Sequence, residues 1–279
     1  MKTMLIPVDF TKTSENAMDY AMEWCRNFDY THIILLRVFS SSIFDNLSTG
    51  PEHHESLARN KEEEIDQLRQ LSKKLTAGLG NEIQVSLASS ELPLLRSLID
   101  ILYNNPVELI VLGSDHVGSS NNSFISSNVI AIAKVSTVRV LIVPSFSRFG
   151  DIRKILVPCD FNSVESLSRL ESYNAKSSKW QEKELLVLNV DPKEKYLLKD
   201  RAFETTEQSL HDYLKNFKHS VYYSSNKSII KGMMEFLENH MVELIVALPG
   251  KHSFLYNLTH TNISEALYRN TPMPILILK

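Results

Sequence analysis

The chain has 279 residues, 43% of them hydrophobic and 23% charged, with a formal net charge of −3. That length suits one large domain or two of ordinary size, and the balance is that of a globular chain with a proper core, which excludes disorder. Charges of both signs are dispersed, so there is no basic field to hold nucleic acid or an anionic membrane. No run approaches the roughly 20 apolar residues of a membrane span. The opening residues 1–9 end a short apolar run in a charge and lack a signal-peptide pattern, so the expected address is the cytoplasm. The two cysteines, Cys25 and Cys159, stand far apart with no Cys-x-x-Cys spacing. A disulfide framework or thiolate zinc site is not expected.

In chain order, short apolar runs alternate with helical patterns. Met4 to Val8 reads as a buried parallel strand. Thr11, Thr13 and Ser14 then offer N-caps for a helix with Ala17, Ala21, Trp24 and Phe28 along one face. Ile33 to Val38 is a second strand. A long helix with Leu57, Ile65, Leu68, Leu71 and Leu75 at helical spacing closes near Gly78 and Gly80. Ile83 to Ala88 gives a third strand, Leu92 to Tyr103 a third helix and Leu109 to Leu112 a fourth strand. Ser127 to Val135 is a fourth helix and Val138 to Val143 a fifth strand.

The pattern then repeats. Met4-Leu5-Ile6-Pro7-Val8-Asp9-Phe10 returns as Ile155-Leu156-Val157-Pro158-Cys159-Asp160-Phe161, and Glu108-Leu109-Ile110-Val111 as Glu243-Leu244-Ile245-Val246. A unit of this size is a duplicated domain, since solenoid repeats run only about 20–50 residues. The expected domains are 1–145 and 151–279, joined through Ser145 to Gly150. The second copy has strands at Ile155–Val157, Leu185–Val190, Ser220–Tyr223, Leu244–Ala247 and Ile275–Leu278. Alternating βα units predict two tandem doubly wound α/β domains, each with a five-stranded parallel sheet and helices on both faces. Ligands of such sheets bind at the carboxyl ends of the strands, near the switch in strand order.

The Ile-Pro-Val-Asp opening, the Leu-Gly-Ser segment after strand four and the Val-Leu-Ile-Val-Pro ending, in this order, resemble the universal stress protein family, here in a tandem form. The resemblance implies a stress-response binding or signalling protein of the adenine nucleotide alpha hydrolase-like fold. Members that bind ATP carry Gly-x-x-Gly after strand four, then about nine residues on a Gly followed by Ser or Thr. Glycines let the backbone approach phosphates, and amides with a hydroxyl at a helix start receive the charge.

Laid on this pattern, the first copy keeps Asp9, Val38, Gly113, Ser114, Gly118, Ser127 and Asn128 as candidate nucleotide contacts. His116, Ser119 and Ser126 stand where glycines are expected. The resemblance thus implies ATP or another adenine nucleotide, with its associated magnesium, in the first copy only. In the second copy Phe254, Leu255, Tyr256 and Leu258 replace small residues, as in members that do not bind ATP. The alternative is a scaffold without nucleotide that docks an unknown protein partner or dimerises. The terminal strands Val138–Val143 and Ile275–Leu278 would lie at sheet edges that need covering. In the family such strands often pair two domains, which implies a pseudo-dimer within the chain and allows a homodimer.

No catalytic triad, Walker loop or carboxylate pair can be read from the spacing, so a non-enzymatic role is expected. His116, with Asp115 beside it in a flexible loop, has no second metal ligand at an informative spacing. Cys25 is expected to be half-buried on the first helix. Cys159, at a strand end, is the better placed of the two for a reactive thiol, with inert packing as the plainer expectation.

Overall fold

Burial of two apolar faces on one sheet organises the molecule. The structure is a computed structural model describing residues 1–39, 51–80, 82–115, 124–174, 178–180, 182–198, 200–248 and 273–279. Its first half runs β1 (Thr3–Val8), α1 (Lys12–Phe28), β2 (His32–Val38), α2 (Pro51–Leu79), β3 (Gln84–Ser90), α3 (Leu94–Asn104), β4 (Val107–Ser114), α4 (Phe124–Val135) and β5 (Arg139–Pro144). The second continues with β6 (Lys154–Pro158), a 3-10 segment (Phe161–Leu167), α5 (Ser168–Asn174) and a 3-10 turn (Ser178–Trp180). There follow β7 (Glu184–Val190), α6 (Lys195–Leu198), α7 (Arg201–Tyr213), β8 (Lys218–Ser224), α8 (Ile229–Asn239), β9 (Leu244–Ala247) and β10 (Ile275–Ile277).

Local chemistry sets the ends of these elements. Thr11 caps α1, its hydroxyl accepting from the Ser14 amide at 3.3 Å. Asp29, in the left-handed region at φ 60, ends it. Helix α2 stops before Gly80, whose φ of 77 suits a residue without a Cβ. Helix α4 begins at Phe124, three residues earlier than the sequence suggested. Phe124, Ile125, Val129 and Ile132 continue the helical spacing backwards, so Ser127 and Asn128 lie inside the first turns and do not open the helix.

The ten strands form one sheet in the order β3-β2-β1-β4-β5-β10-β9-β6-β7-β8. Within each half all pairings are parallel. The halves meet where β5 and β10 pair antiparallel, with Leu141 opposite Leu276. The two terminal strands expected at edges therefore cover one another.

Side chains alternate across this sheet into two cores. One face gathers Met4, Ile6 and Val8 of β1 with Trp24 and Phe28 of α1, and Leu210 of α7. The other gathers Leu5 with Leu98 of α3, Val129 of α4 and Met233 of α8. Both cores cross the joint: Leu141 and Leu276 belong to the first, Ile142 and Ile275 to the second.

Further contacts bind α1 to the following half. Asn16 Nδ2 donates to the carbonyls of Pro144 and Ser147 at 3.0 and 3.1 Å, and Arg148 donates to its Oδ1. Phe149 meets Tyr20 edge-on at 5.0 Å, and Phe28 lies 5.6 Å from the Trp180 ring. Lys179 Nζ reaches the Asp29 carboxylate at 2.8 Å. At the far end, Lys279 Nζ donates to the Ala133 carbonyl of α4.

His32 spans three strands, with Nδ1 3.4 Å from Thr3 Oγ1 and Nε2 2.7 Å from Ser86 Oγ. Burial holds its basicity below the usual histidine value. The unfolded chain then takes up the proton more readily than the folded one, so stability falls as pH drops through the ordinary histidine range near 6.5. Melting temperature should decline between about pH 7 and pH 5, where histidine titrates. The decline should be shallower in His32→Gln. An equal slope in both proteins would assign the loss to other groups.

Candidate functional site

The first strand sends its chain to β2 on one side, while β4 flanks it on the other, so the switch point of the first half lies between β1 and β4. Asp9 stands at the carboxyl end of β1, half-buried. Its Oδ1 accepts from the Thr11 amide at 3.2 Å and the Thr11 hydroxyl at 2.6 Å. Asp9 thus braces the cap of α1. Between them Phe10 adopts φ 57, and its ring lies 5.2 Å beneath the Arg37 guanidinium. Arg37 also pairs with Glu64 of α2 at 2.8 Å and reaches the Val8 carbonyl at 3.4 Å. Val38 is buried at the end of β2.

At the end of β4, Gly113 has a packing duty. A Cβ there would meet the Thr13 carbonyl oxygen at 2.5 Å and the Thr13 methyl at 2.8 Å. The missing side chain lets α1 start directly against β4. Ser114 is 1% exposed, and its hydroxyl has no hydrogen-bond partner among the described residues. Asp115, which the sequence suggested lay in a flexible loop, is buried, and its Oδ1 accepts from the Thr13 hydroxyl. The physical reason is the close approach at Gly113, which carries Thr13 to the strand end.

The structure therefore brings Asp9, Gly113 and Ser114 to neighbouring strand ends, with Val38 beyond β1. Asn128 sits half-buried in α4. Gly118 and His116 lie outside the described residues, as does the side chain of Ser127. Thr13 and Asp115 are the local residues that spacing alone missed. The signal for them was a short hydroxylated segment after β1 and a carboxylate next to the Gly-Ser pair.

In the second half, Asp160 occupies the place of Asp9. Its Oδ1 accepts from the Asn162 amide and side chain at 2.9 and 2.8 Å, while Oδ2 is buried without a partner among the described residues. The apolar segment noted at 254–258 lies outside the described residues. Cys159 is buried, and its thiol is pushed up to about 12, first by burial, then by the charges of Asp160 and Glu165. Burial likewise raises Cys25 to about 12. Cys25 is 1% exposed, fully inside the core rather than half-buried, because it faces Met4 of β1, with the two sulfurs 3.8 Å apart. Among the described residues no group of three or more His, Cys, Asp or Glu could hold a metal, and no helix is long and apolar enough to cross a membrane.

Two outcomes follow from this geometry. Gly113→Ala should cost about 1–3 kcal/mol in denaturant unfolding, because the added methyl meets backbone as well as side chain. A neutral result would mean that α1 can retreat from β4. Native protein should react with a thiol reagent such as dithionitrobenzoate far more slowly than protein unfolded in denaturant. Equal rates would place a thiolate at the surface.

Comparison with known proteins agrees with this architecture. A universal stress protein from Archaeoglobus fulgidus DSM 4304 superposes with a TM-score of 0.67 at 16% identity, covering 99% of this chain and 98% of its own. A protein of unknown function from Pseudomonas aeruginosa PAO1 superposes with a TM-score of 0.55 at 11% identity, covering 100% and 92%. At such identities the likeness concerns the fold alone. No curated protein matches the sequence. Residues 1–144 match the sequence model of the Universal stress protein family. Strand order, the Asp9-bearing turn and this match converge: the chain belongs to the universal stress protein family.

Proposed function

We propose that the protein is a non-catalytic, cytoplasmic stress-response binding protein whose first-half crevice takes an adenine nucleotide. The observation that carries this reading is the Ser114 hydroxyl, buried without a partner among the described residues at the switch point beside the β1 end. A buried hydroxyl without a partner is costly, and a ligand that bonds it recovers that cost. Asp9 and Val38 stand at the adjoining strand ends, where the resemblance implies contacts to the adenine side. Bound nucleotide would bias α1 and α4, the elements that begin at this crevice and pack beside the β5–β10 joint. With its two halves paired through that joint, the chain acts as its own pseudo-dimer.

A second reading, a scaffold without nucleotide that presents this surface to a protein partner, is favoured by Asp115. Its buried carboxylate stands where phosphates would have to approach, and like charges repel at short range in a buried site. The two readings separate in a thermal melt with magnesium and ATP, AMP or adenosine. Binding at a hundredfold over Kd stabilises by about 2.7 kcal/mol. The nucleotide reading expects a rise in melting temperature that Ser114→Ala weakens, with ATP remaining unhydrolysed over hours. No shift at millimolar ligand, in wild type and in Asp115→Asn alike, would leave the scaffold reading.

A further inference from the structure

We propose that His211 and His219 form a binding site for one divalent transition-metal ion, zinc or copper(II) in class, at the outer edge of the second half. His211 stands in the last turn of α7, and His219 is the second residue of β8. The two rings meet across the connection between them, with Nδ1 of His211 2.8 Å from Nε2 of His219. Imidazole nitrogen is a ligand that such ions share.

Packing fixes the pair. Leu210 and Leu214 of the same helix face are buried, and so is Phe217 in the turn that follows. The Leu214 amide donates to the carbonyls of Leu210 and His211 at 3.1 and 3.2 Å, and the Phe217 amide donates to the Leu214 carbonyl at 2.8 Å. Both histidines are therefore carried on braced elements, and their approach is set before any ion arrives.

Hydrogen bonding fixes the tautomer as well. The Phe217 carbonyl can only accept, so His219 Nδ1, 2.9 Å away, carries the proton. Nε2 of His219 then turns a lone pair towards His211. A histidine whose other nitrogen donates to a backbone carbonyl is the arrangement that metal ligands adopt. Moving the His211 proton to its own Nε2 aims a second lone pair, on Nδ1, at the same point. Bonds of about 2.0–2.1 Å at a tetrahedral angle place two nitrogens about 3.3 Å apart, so the rings need part by only about half an ångström. His211 is exposed, and β8 is the outermost strand, which leaves room for water to complete the coordination. Lys218 lies on the other face of β8 and pairs with Glu184 at 3.6 Å, which offsets its charge.

His219 stands at the amino end of β8, which runs parallel to β7. The site is thus at the opposite end of the strands from the crevices where Asp9 and Asp160 stand.

The test is zinc titration of the full chain against a chromophoric zinc indicator, with millimolar magnesium present throughout. Wild type should take up one more ion per chain than the double variant His211→Gln, His219→Gln. Each single variant should hold that ion about tenfold more weakly or worse. His240→Gln should match wild type. Zinc should also raise the melting temperature of wild type more than that of the double variant, because only the folded chain brings the two rings together. Equal uptake by wild type and the double variant, with circular dichroism unchanged, would overturn the proposal. Displacement of the ion by magnesium, which prefers oxygen ligands, would overturn it too.

Discussion

The antiparallel pairing of β5 with β10 is the constraint from which the rest of the architecture follows. Each half is a five-stranded parallel sheet whose last strand would otherwise show an open, apolar edge, a surface prone to pairing with other chains. Joining the two last strands removes both edges at once. Only three residues of β10 take part, yet Ile275, Leu276 and Ile277 are at most 1% exposed. Burying each such side chain is worth about 1.5–3 kcal/mol, so the seam draws its strength from the cores above and below as much as from backbone hydrogen bonds. The edges that remain, β3 and β8, carry half-buried and polar residues instead.

The same joint explains why α1 matters to both halves. Its apolar face buries Trp24 and Phe28 against β1, but Phe28 continues to Trp180, and Asn16 ties the segment after β5. The beginning of that helix meets Gly113 at the candidate site, while its end meets the second half. One helix thus touches both the candidate site and the second half. Charge differs between the two crevices. The first is flanked by Asp9 and Asp115; the cavity at the ends of β6 and β7 is lined by Lys193, Lys195 and Lys227 as well as by Asp160 and Asp191. The two halves share their cores and differ where the strands end.

Much of this was legible in the sequence because its signals were local. The apolar runs at Met4 to Val8 and Ile155 to Val157 fix buried strands whatever surrounds them, and the Thr11 cap and Gly80 stop act within a turn or two. The strand ends were legible as places, with Asp9 and Gly113 named there. Their roles were not, because they depend on partners far away in sequence: Thr13 against Gly113 and Asp115 is a contact across about a hundred residues. Asp115 beside His116 read as loop for that reason. Lys193, Lys195 and Lys227 sit in two segments that periodicity treats as plain connections, and only the parallel register of β7 with β8 brings them to one cavity.

The most direct test of this account uses the two tryptophans, one in each half and both fully buried. In Trp24→Phe the remaining fluorescence reports the second half, and in Trp180→Phe the first. Each variant is unfolded in urea while fluorescence and far-ultraviolet circular dichroism are followed together. If one continuous sheet and two shared cores hold the chain, both probes give a single coincident transition in each variant. A fluorescence midpoint displaced from the circular dichroism midpoint, in opposite directions for the two variants, would mean that the halves unfold independently and that the β5–β10 joint does not couple them.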